Sequence, residues 1–213
     1  MNTNAIIFDL DGTLVDTERY ILDAFNYALE TKGFPKISSK YLYESSGLKM
    51  TSIYREVTKL EDVDGFVKLH QEFQRNNLAL VKPYNGVQEV LQELAEKKVK
   101  ISIATSRFRK NTEVLLEMFS WEKFFVAVAC GDDGFKEKPD PEMFSWCARK
   151  MGVERNECLV IGDAVRDMQA GKAMGAKTCR AAYGYAGKEE DAQNTDFVAK
   201  KPSDILEIML KEH

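Results

Sequence analysis

The stretch AIIFDLDGTLVDT, residues 5–17, decides how the chain is interpreted. A short apolar run leads directly into two aspartates, Asp9 and Asp11, and these are followed by Gly12 and Thr13. The apolar run predicts a buried strand of a parallel sheet, and the Asp-Gly pair is typical of the turn that ends one. Two carboxylates at the end of a buried strand repel each other, so their presence points to chemistry that requires both.

The rest of the chain alternates strands with helices. Apolar runs rich in β-branched residues predict further strands at 100–105, 126–129, 158–163 and 177–182. Segments with helical spacing lie at 86–98, 111–119, 140–152, 164–175 and 203–211. This alternation predicts an α/β fold with a doubly wound parallel sheet that helices cover on both faces.

The region from Thr17 to about Val81 breaks this alternation, because it has helical patterns and no convincing strand. Its first helix presents one apolar face and ends at Gly33. Pro and Gly punctuate the chain again at 82–86. We therefore predict an α/β catalytic core of residues 1–15 and 84–213, with an inserted α-helical cap domain of residues 16–83.

The composition limits the function classes. The 213 residues are 44% hydrophobic with a formal net charge of −4, which argues against a nucleic-acid binder. No apolar run approaches the length of a membrane span. The cysteines are too widely spaced for a zinc site or a disulfide framework: Cys130, Cys147, Cys158 and Cys179. We expect a soluble, cytoplasmic monomer or weak dimer that binds neither nucleic acid nor membrane.

Polar residues follow each of the principal predicted strands. Thr105 and Ser106 come after the strand at 100–105, and Lys138 follows the next strand and a loop. Asp163 and Asp167 come after the strand at 158–163. Because ligands of doubly wound sheets bind outside the carboxyl ends of the strands, we expect these side chains to converge with the first two aspartates.

The expected charges of this site call for a cation. Four carboxylates and one ammonium leave an excess of negative charge that a partly desolvated cleft does not tolerate. Oxygen ligands without His or Cys favour Mg²⁺, which also binds substrate phosphate oxygens. The matching chemistry is phosphoryl transfer to a carboxylate nucleophile, with a second carboxyl group moving the proton.

Four motifs resemble those of the haloacid dehalogenase superfamily in order and spacing. They are FDLDGT at 8–13, AT at 104–105, KPDP at 138–141 and GDAVRD at 162–167. The resemblance covers essentially the whole chain, and the helical cap is similar to that of the subclass holding phosphoglycolate phosphatases and β-phosphoglucomutases. Ala164 departs from the pattern, since relatives usually have Ser or Thr there. The resemblance implies a Rossmann-like core and a Mg²⁺-dependent phosphatase acting on a small phosphorylated metabolite.

The resemblance also implies catalytic roles. Asp9 is the expected nucleophile that forms an aspartyl-phosphate, and Asp11 is the general acid/base. Thr105 is expected to bind the transferring phosphoryl group together with Ser106. Lys138 is expected to balance the charge of Asp9 and the phosphate. Without the resemblance, capping of the following helix is an equal interpretation of the two hydroxyls, and surface charge is the better interpretation of Lys138.

The implied metal ligands are Asp9, the backbone carbonyl of Asp11, and Asp163. Asp167 is expected to support the metal or to orient the lysine, although its position also suits the dipole of a helix N-terminus. In the cap, Lys49 lies in the loop at 45–50 that corresponds to the substrate-reading loop of this subclass. It is a candidate ligand for a substrate anion, and the other candidate cations are Arg19, Arg55 and Arg107.

Three other functions remain open from the sequence. A sugar phosphomutase is the first, but β-phosphoglucomutases carry a histidine in the first cap helix where this chain has Ile21. A dehalogenase is disfavoured because that branch lacks the second aspartate, which is Asp11 here. A receiver-like or catalytically inactive phosphate-binding module is the third, although receiver domains have no helical insert and all motifs are intact here. The sequence does not identify the substrate.

Overall fold

The computed structural model describes residues 3–186 and 195–211. Its strands are β1 (Ala5–Phe8), β2 (Val15–Asp16), β3 (Lys82–Pro83), β4 (Lys100–Ala104), β5 (Phe125–Ala129), β6 (Cys158–Gly162), β7 (Lys177–Ala181) and β8 (Phe197–Ala199). Its α-helices are α1 (Glu18–Thr31), α2 (Ser39–Glu44), α3 (Met50–Thr58), α4 (Asp64–Asn76), α5 (Val87–Glu96), α6 (Arg109–Phe119), α7 (Glu142–Met151), α8 (Val165–Met174) and α9 (Asp204–Lys211).

The main sheet is parallel and has the strand order β5-β4-β1-β6-β7-β8. Strand β1 is central, pairs with β4 on one side and β6 on the other, and is fully buried. Alternate residues of β1 face opposite layers, with Ile6 and Phe8 in one apolar cluster and Ala5 and Ile7 in the other. The predicted α/β fold with a doubly wound parallel sheet is therefore confirmed.

Four elements were missed by the sequence patterns, namely β2, β3, β8 and α2, and the first two are only two residues long. Strand β8 is only three residues long and lies at the edge of the sheet. Its short apolar pattern does not predict a strand, and the strand forms because it pairs with β7. Helix α2 is six residues long, and its start is fixed by the Ser38 hydroxyl, which accepts a hydrogen bond from the Tyr41 backbone N–H. All four of these elements are too short to give a periodic signal in the sequence.

Four helices, α1 to α4, lie between β2 and β3 along the chain and share an apolar cluster of their own. These four helices and the loops that join them are called the cap below. Helix α1 packs against α4, and Phe25, Tyr54 and Phe66 are buried between the helices. The buried positions of α4 are Phe66, His70 and Gln74, one helical face at intervals of four residues. Burial of this face explains why the segment is helical despite its many polar residues.

The short strands β2 and β3 pair antiparallel where the chain leaves and re-enters the α/β layers. Val15 is opposite Pro83, and Asp16 is opposite Lys82. This pairing lies at the domain limits expected from the sequence, and the division at 16–83 stays a prediction. Among the helices of the described ranges, none has the length and apolar character of a membrane span.

Candidate active site

The carboxyl ends of β1, β4 and β6 carry the central residues of the site. Asp9 follows β1 directly, and its backbone N–H continues the sheet by donating to Ile161 at 2.8 Å. Thr105 follows β4 and donates its N–H to Ala129 at 2.9 Å. Asp163 follows β6. Parallel pairing in register therefore brings residues from distant parts of the sequence to one edge of the sheet.

Lys138 links two of the aspartates from the loop between β5 and α7. Its Nζ donates to Asp9 Oδ1 at 2.8 Å and lies 2.7 Å from Asp167 Oδ1. The lysine side chain is 1% exposed. Coulombic attraction to Asp167 and Asp9 raises the pKa of Lys138 despite its burial, so its ammonium stays charged.

Asp9, Asp163 and Asp167 form a buried acidic cluster in which one carboxylate oxygen of each lies within 4.8 Å of the others. Burial raises the pKa of Asp9 to about 7, although Lys138 opposes this rise. Burial, together with the charges of the other two aspartates, raises the pKa of Asp163 well above its usual range. Three carboxylates against one ammonium match the donor set and the charge that a hard divalent cation requires.

The turn after β1 fits tightly around this cluster. Gly12 has a φ of +80°, and a Cβ there would lie 2.1 Å from Asp163 Oδ2. The same Oδ2 accepts a hydrogen bond from the Ala186 backbone N–H at 2.9 Å. Glycine is therefore required at position 12 by both the backbone conformation and the close approach of Asp163.

The carboxylate of Asp11 is not part of the acidic cluster and forms a bidentate ion pair with Arg107. The guanidinium donates from Nη2 to Oδ1 at 2.5 Å and from Nε to Oδ2 at 3.0 Å. Thr17 Oγ1 also donates to Oδ1 at 2.8 Å. Arg107 is 7% exposed and lies 5.4 Å from the centroid of the Tyr20 ring of α1. From the sequence alone, Arg107 is one of several candidate cations for a substrate anion, and its pairing with Asp11 is not predicted.

The remaining residues expected in the core site lie around the same edge. Thr105 is 1% exposed, and its Oγ1 accepts the Arg107 backbone N–H at 3.1 Å. Ser106 Oγ donates to the Gly47 carbonyl of the cap at 2.7 Å. Asp167 Oδ2 accepts the Ala164 N–H at 3.2 Å, so this aspartate caps α8 while its other oxygen meets the lysine.

A cavity of about 660 Å³, including its open mouth, lies between these residues and the cap. Its core wall includes Asp9, Asp11, Thr105, Ser106, Arg107 and Asp163. Its cap wall is mainly apolar and includes Ile21, Phe25, Leu42, Leu48, Met50 and Ile53. The cap therefore encloses the space beside the aspartates with a surface that disfavours water.

His70 also lines this cavity, although no motif in the sequence assigned it there. Its Nδ1 lies 2.9 Å from the Tyr54 hydroxyl, and its ring contacts Phe25 edge-on at 4.6 Å. Burial and the charge of Arg107 lower the pKa of His70 to about 3, so the imidazole is neutral near neutral pH. The available signal was its spacing from Phe66 and Gln74 on the buried face of α4.

Lys49 does not line this cavity. Its Nζ donates to the Phe135 carbonyl at 2.5 Å, and its backbone N–H donates to Glu137 Oε2 at 3.0 Å. Ser52 Oγ donates to the same carboxylate oxygen at 3.0 Å. These contacts join the start of α3 to the core loop that carries the catalytic-site lysine. The expected role of Lys49 in substrate binding stays a prediction.

Residues 6–181 match the family model for haloacid dehalogenase-like hydrolase. The chain belongs to this family. It is 31% identical over 211 residues to Pyrophosphatase PpaX of Anoxybacillus flavithermus, with 98% of each chain covered. It is 28% identical over 208 residues to the Phosphoglycolate phosphatase of Aquifex aeolicus, covering 96% of this chain and 95% of that relative.

The fold agrees with this membership. The crystal structure of a hydrolase from Pseudomonas syringae superposes with a TM-score of 0.84 at 25% identity, covering 98% of both chains. Membership of the family and the phosphatases among its relatives identify the chain as a haloacid dehalogenase-like phosphatase. The superfamily resemblance found in the four sequence motifs is thereby confirmed.

Proposed function

We propose that this haloacid dehalogenase-like phosphatase hydrolyses a small phosphorylated metabolite, with Mg²⁺ as cofactor and Asp9 as covalent nucleophile. The observation that carries the proposal is the contact between Lys138 Nζ and Asp9 Oδ1 at 2.8 Å. The ammonium binds one oxygen of the carboxylate, and the other oxygen has no hydrogen-bond donor among the described residues. Asp9 also lines the cavity, so this second oxygen is available to attack phosphorus.

The proposed reaction has two steps on the same carboxylate. Asp9 attacks the phosphoryl group and forms an aspartyl-phosphate, while the bond from phosphorus to the leaving oxygen breaks. In its carboxylic-acid form Asp11 gives the leaving oxygen a proton, and the resulting carboxylate, the form that pairs with Arg107, then takes one from the water that hydrolyses the intermediate. Thr105 and Ser106 are at the end of β4 beside this path, and we assign the Thr105 hydroxyl to binding a phosphoryl oxygen. The Ser106 hydroxyl would join it by releasing its hydrogen bond to the Gly47 carbonyl.

The acidic cluster supports Mg²⁺ as the cofactor. Asp9 and Asp163 would hold the ion with the backbone carbonyl of Asp11, and Asp167 would bind Lys138 beside it. When bound, the ion neutralises phosphate oxygens and the excess carboxylate charge. Burial raises the pKa of Asp9 to about 7, and a bound cation would lower this pKa and favour the ionised nucleophile.

A phosphatase is favoured over a sugar phosphomutase by the groups that face the cavity. The cap position where β-phosphoglucomutases have histidine is Ile21, which carries no proton. His70 does reach the cavity, but its pKa of about 3, lowered mainly by burial, makes it a poor proton carrier near neutral pH. Asp11 is then the group that activates the acceptor, and water is its most abundant partner.

The substrate class is a phosphate ester or anhydride small enough for the space that the core and the cap enclose beside Asp9. The names of the relatives suggest pyrophosphate and phosphoglycolate as first candidates. The described cysteines are all free and buried, which supports the proposed cytoplasmic location.

A panel of phosphometabolites, with Mg²⁺ and release of phosphate as readout, tests the proposal. Hydrolysis of at least one small phosphate ester or anhydride is expected, and absence of release across the panel would contradict it. The mutase alternative is tested with β-glucose 1-phosphate, with and without the 1,6-bisphosphate. Rapid, activator-dependent formation of glucose 6-phosphate with little free phosphate would favour the mutase.

A further inference from the structure

The side of the cavity next to Asp11 is where the leaving group must lie, if this residue protonates the leaving oxygen as proposed. The nearest charged group there is Arg107, which holds both carboxylate oxygens of Asp11 at 2.5 and 3.0 Å. An atom two or three bonds beyond the leaving oxygen therefore comes within reach of the guanidinium. Arg107 is the one basic side chain, apart from the neutral His70, among the described residues that line the cavity.

The guanidinium has donor capacity beyond its bonds to Asp11. Its Nη1 is buried and makes no hydrogen bond of standard geometry among the residues that the structure describes, although the Tyr20 hydroxyl lies close enough to interact with the guanidinium. Arginine presents its donors in a planar fork that matches the two oxygens of a carboxylate or phosphoryl group. A buried cation with an unused N–H leaves free energy to be gained by binding an anion.

His70 provides a second donor from the cap. Tyr54 is fully buried. Among residues 3–186 and 195–211, which the structure describes, its hydroxyl has no hydrogen-bond partner other than His70 Nδ1. If Nδ1 donated this hydrogen bond, the phenol hydrogen would be left buried without an acceptor. Tyr54 therefore donates to Nδ1, and the proton of the neutral imidazole is on Nε2. Nε2 has no protein partner in the described chain, and the ring lines the cavity.

We propose that Arg107 and His70 form a subsite for a second anionic group, carried by the leaving group of the substrate. The site consists of donors from the core and from the cap. Apolar side chains and a few neutral polar ones, among them Ser45, Ser46 and Gln74, line the cavity beside it, so Arg107 is the one charged donor available to an anionic leaving group among the described lining residues. The preferred substrate then has a carboxylate or a second phosphoryl group within a few bonds of the scissile oxygen. This inference rests on the proposed function and adds the class of leaving group.

Matched substrates test the subsite without relying on a variant. Phosphoglycolate is compared with hydroxyethyl phosphate, in which a neutral hydroxymethyl group replaces the carboxylate. Ethane-1,2-diol bisphosphate is compared with the same ester, in which a free hydroxyl replaces the second phosphoryl group, so that a primary phosphate ester is hydrolysed in every case. We expect kcat/KM of the wild-type enzyme with Mg²⁺ to favour the anionic member of at least one pair by about tenfold to hundredfold, as expected for charge-assisted hydrogen bonds. The two pairs distinguish a carboxylate from a phosphoryl group. Ratios near one in both pairs would overturn the inference.

Variants then assign the preference to the two residues. Arg107→Met is expected to bring the ratio of kcat/KM for the anionic and neutral members of the preferred pair close to one. Because Asp11 acts on both members, any effect of the variant on Asp11 cancels in this ratio. His70→Phe is expected to lower the ratio about threefold to tenfold, whereas His70→Gln, which keeps a donor near the position of Nε2, is expected to restore most of it. Equal losses of kcat/KM for both members of a pair would show that Arg107 only positions Asp11, and this result would contradict the subsite.

Binding measurements distinguish an incorrect subsite from an incorrect reaction. Calorimetry with the Asp9→Asn protein and Mg²⁺ measures binding of the same pairs without turnover. Tighter binding of the anionic member, lost in Asp9→Asn/Arg107→Met, would support the subsite even if the wild-type enzyme hydrolysed none of the esters. Hydrolysis of all esters without any preference would leave the proposed function intact and overturn the subsite.

Discussion

Lys138 and Asp167 form an ion pair at 2.7 Å in which both side chains are 1% exposed. The lysine also contacts Asp9, so one ammonium joins the expected nucleophile to the start of α8. Buried ion pairs of this kind lose much of their Coulombic gain to desolvation, but removing one partner leaves an uncompensated buried charge. The pair therefore holds the site in one arrangement more than it stabilises the fold.

Removing the ammonium tests this relationship. Lys138→Met is expected to lower the free energy of unfolding by about 3–5 kcal/mol, because it leaves buried carboxylates without their cation. Lys138→Met/Asp167→Asn is expected to recover part of this loss. Urea unfolding measures both, with Lys136→Met as the control, since that lysine is 75% exposed. A loss as small as that of the control would show that Lys138 is not an essential counter-ion.

Replacing the nucleophile is expected to abolish turnover. Asp9→Asn preserves the size of the side chain but removes the oxygen nucleophile, so the rate of phosphate release is expected to fall by several powers of ten. The far-ultraviolet circular dichroism spectrum is expected to be unchanged. Asp23→Asn, at a half-exposed position of α1, is the matched control. Near-normal activity of Asp9→Asn would contradict the assignment.

Binding of Mg²⁺ is expected to stabilise the protein as well as to support activity. The apparent Tm is expected to rise with Mg²⁺ concentration, because the ion binds the folded acidic cluster and not the unfolded chain. Asp163→Asn is expected to remove most of this rise, whereas Asp23→Asn retains it. Chelation is expected to stop phosphate release, Mg²⁺ to restore it, and Ca²⁺ to inhibit by taking extra ligands. Full activity after exhaustive chelation would exclude the proposed cofactor.

His70 is expected to make the fold sensitive to mild acid. Its pKa is about 3 in the folded protein, because of burial and the charge of Arg107, against an ordinary value of 6.5. Between these values the unfolded chain binds a proton that the folded chain does not, so the free energy of unfolding falls as the pH falls. From pH 7.5 to 5 this residue accounts for roughly 2 kcal/mol.

The measurement compares urea unfolding of the wild-type protein and His70→Gln at both pH values. The variant is expected to lose about 2 kcal/mol less than the wild-type protein over this range, since other titrating groups are common to both. A parallel pH dependence in the two proteins would mean that His70 is protonated in the folded state as easily as in the unfolded chain.

The contacts of Lys49 allow its expected substrate role to be tested against a role in cap closure. If it only holds the cap, Lys49→Met and Glu137→Ala are both expected to raise KM about twofold to tenfold, because each removes hydrogen bonds between cap and core. Steady-state kinetics of the two variants and of their combination measure this. A larger rise in Lys49→Met, without any change in Glu137→Ala, would support direct binding of a substrate anion.

Much of the fold and part of the site could be predicted from sequence because strand ends are local features. The apolar runs end where Asp9, Thr105 and Asp163 begin, and parallel pairing necessarily gathers such positions at one edge. The short strand β8 lacked a comparable signal, because its three residues form a strand only by pairing with β7. The periodic helices were predictable in type, with their ends shifted by a few residues.

The sequence by itself determined the α/β core, the helical insertion and the residues at the strand ends, since hydrophobic periodicity and turn residues act over short distances. Only the tertiary structure decided which side chains meet across the cavity. Arg107 reaches Asp11 over 96 positions, His70 enters the cavity on the buried face of α4, and Lys49 turns to a core carbonyl instead. The first contact depends on the pairing of β1 with β4, and the other two depend on how the cap helices pack against one another and against the core. Such long-range packing has no periodic signature in the sequence.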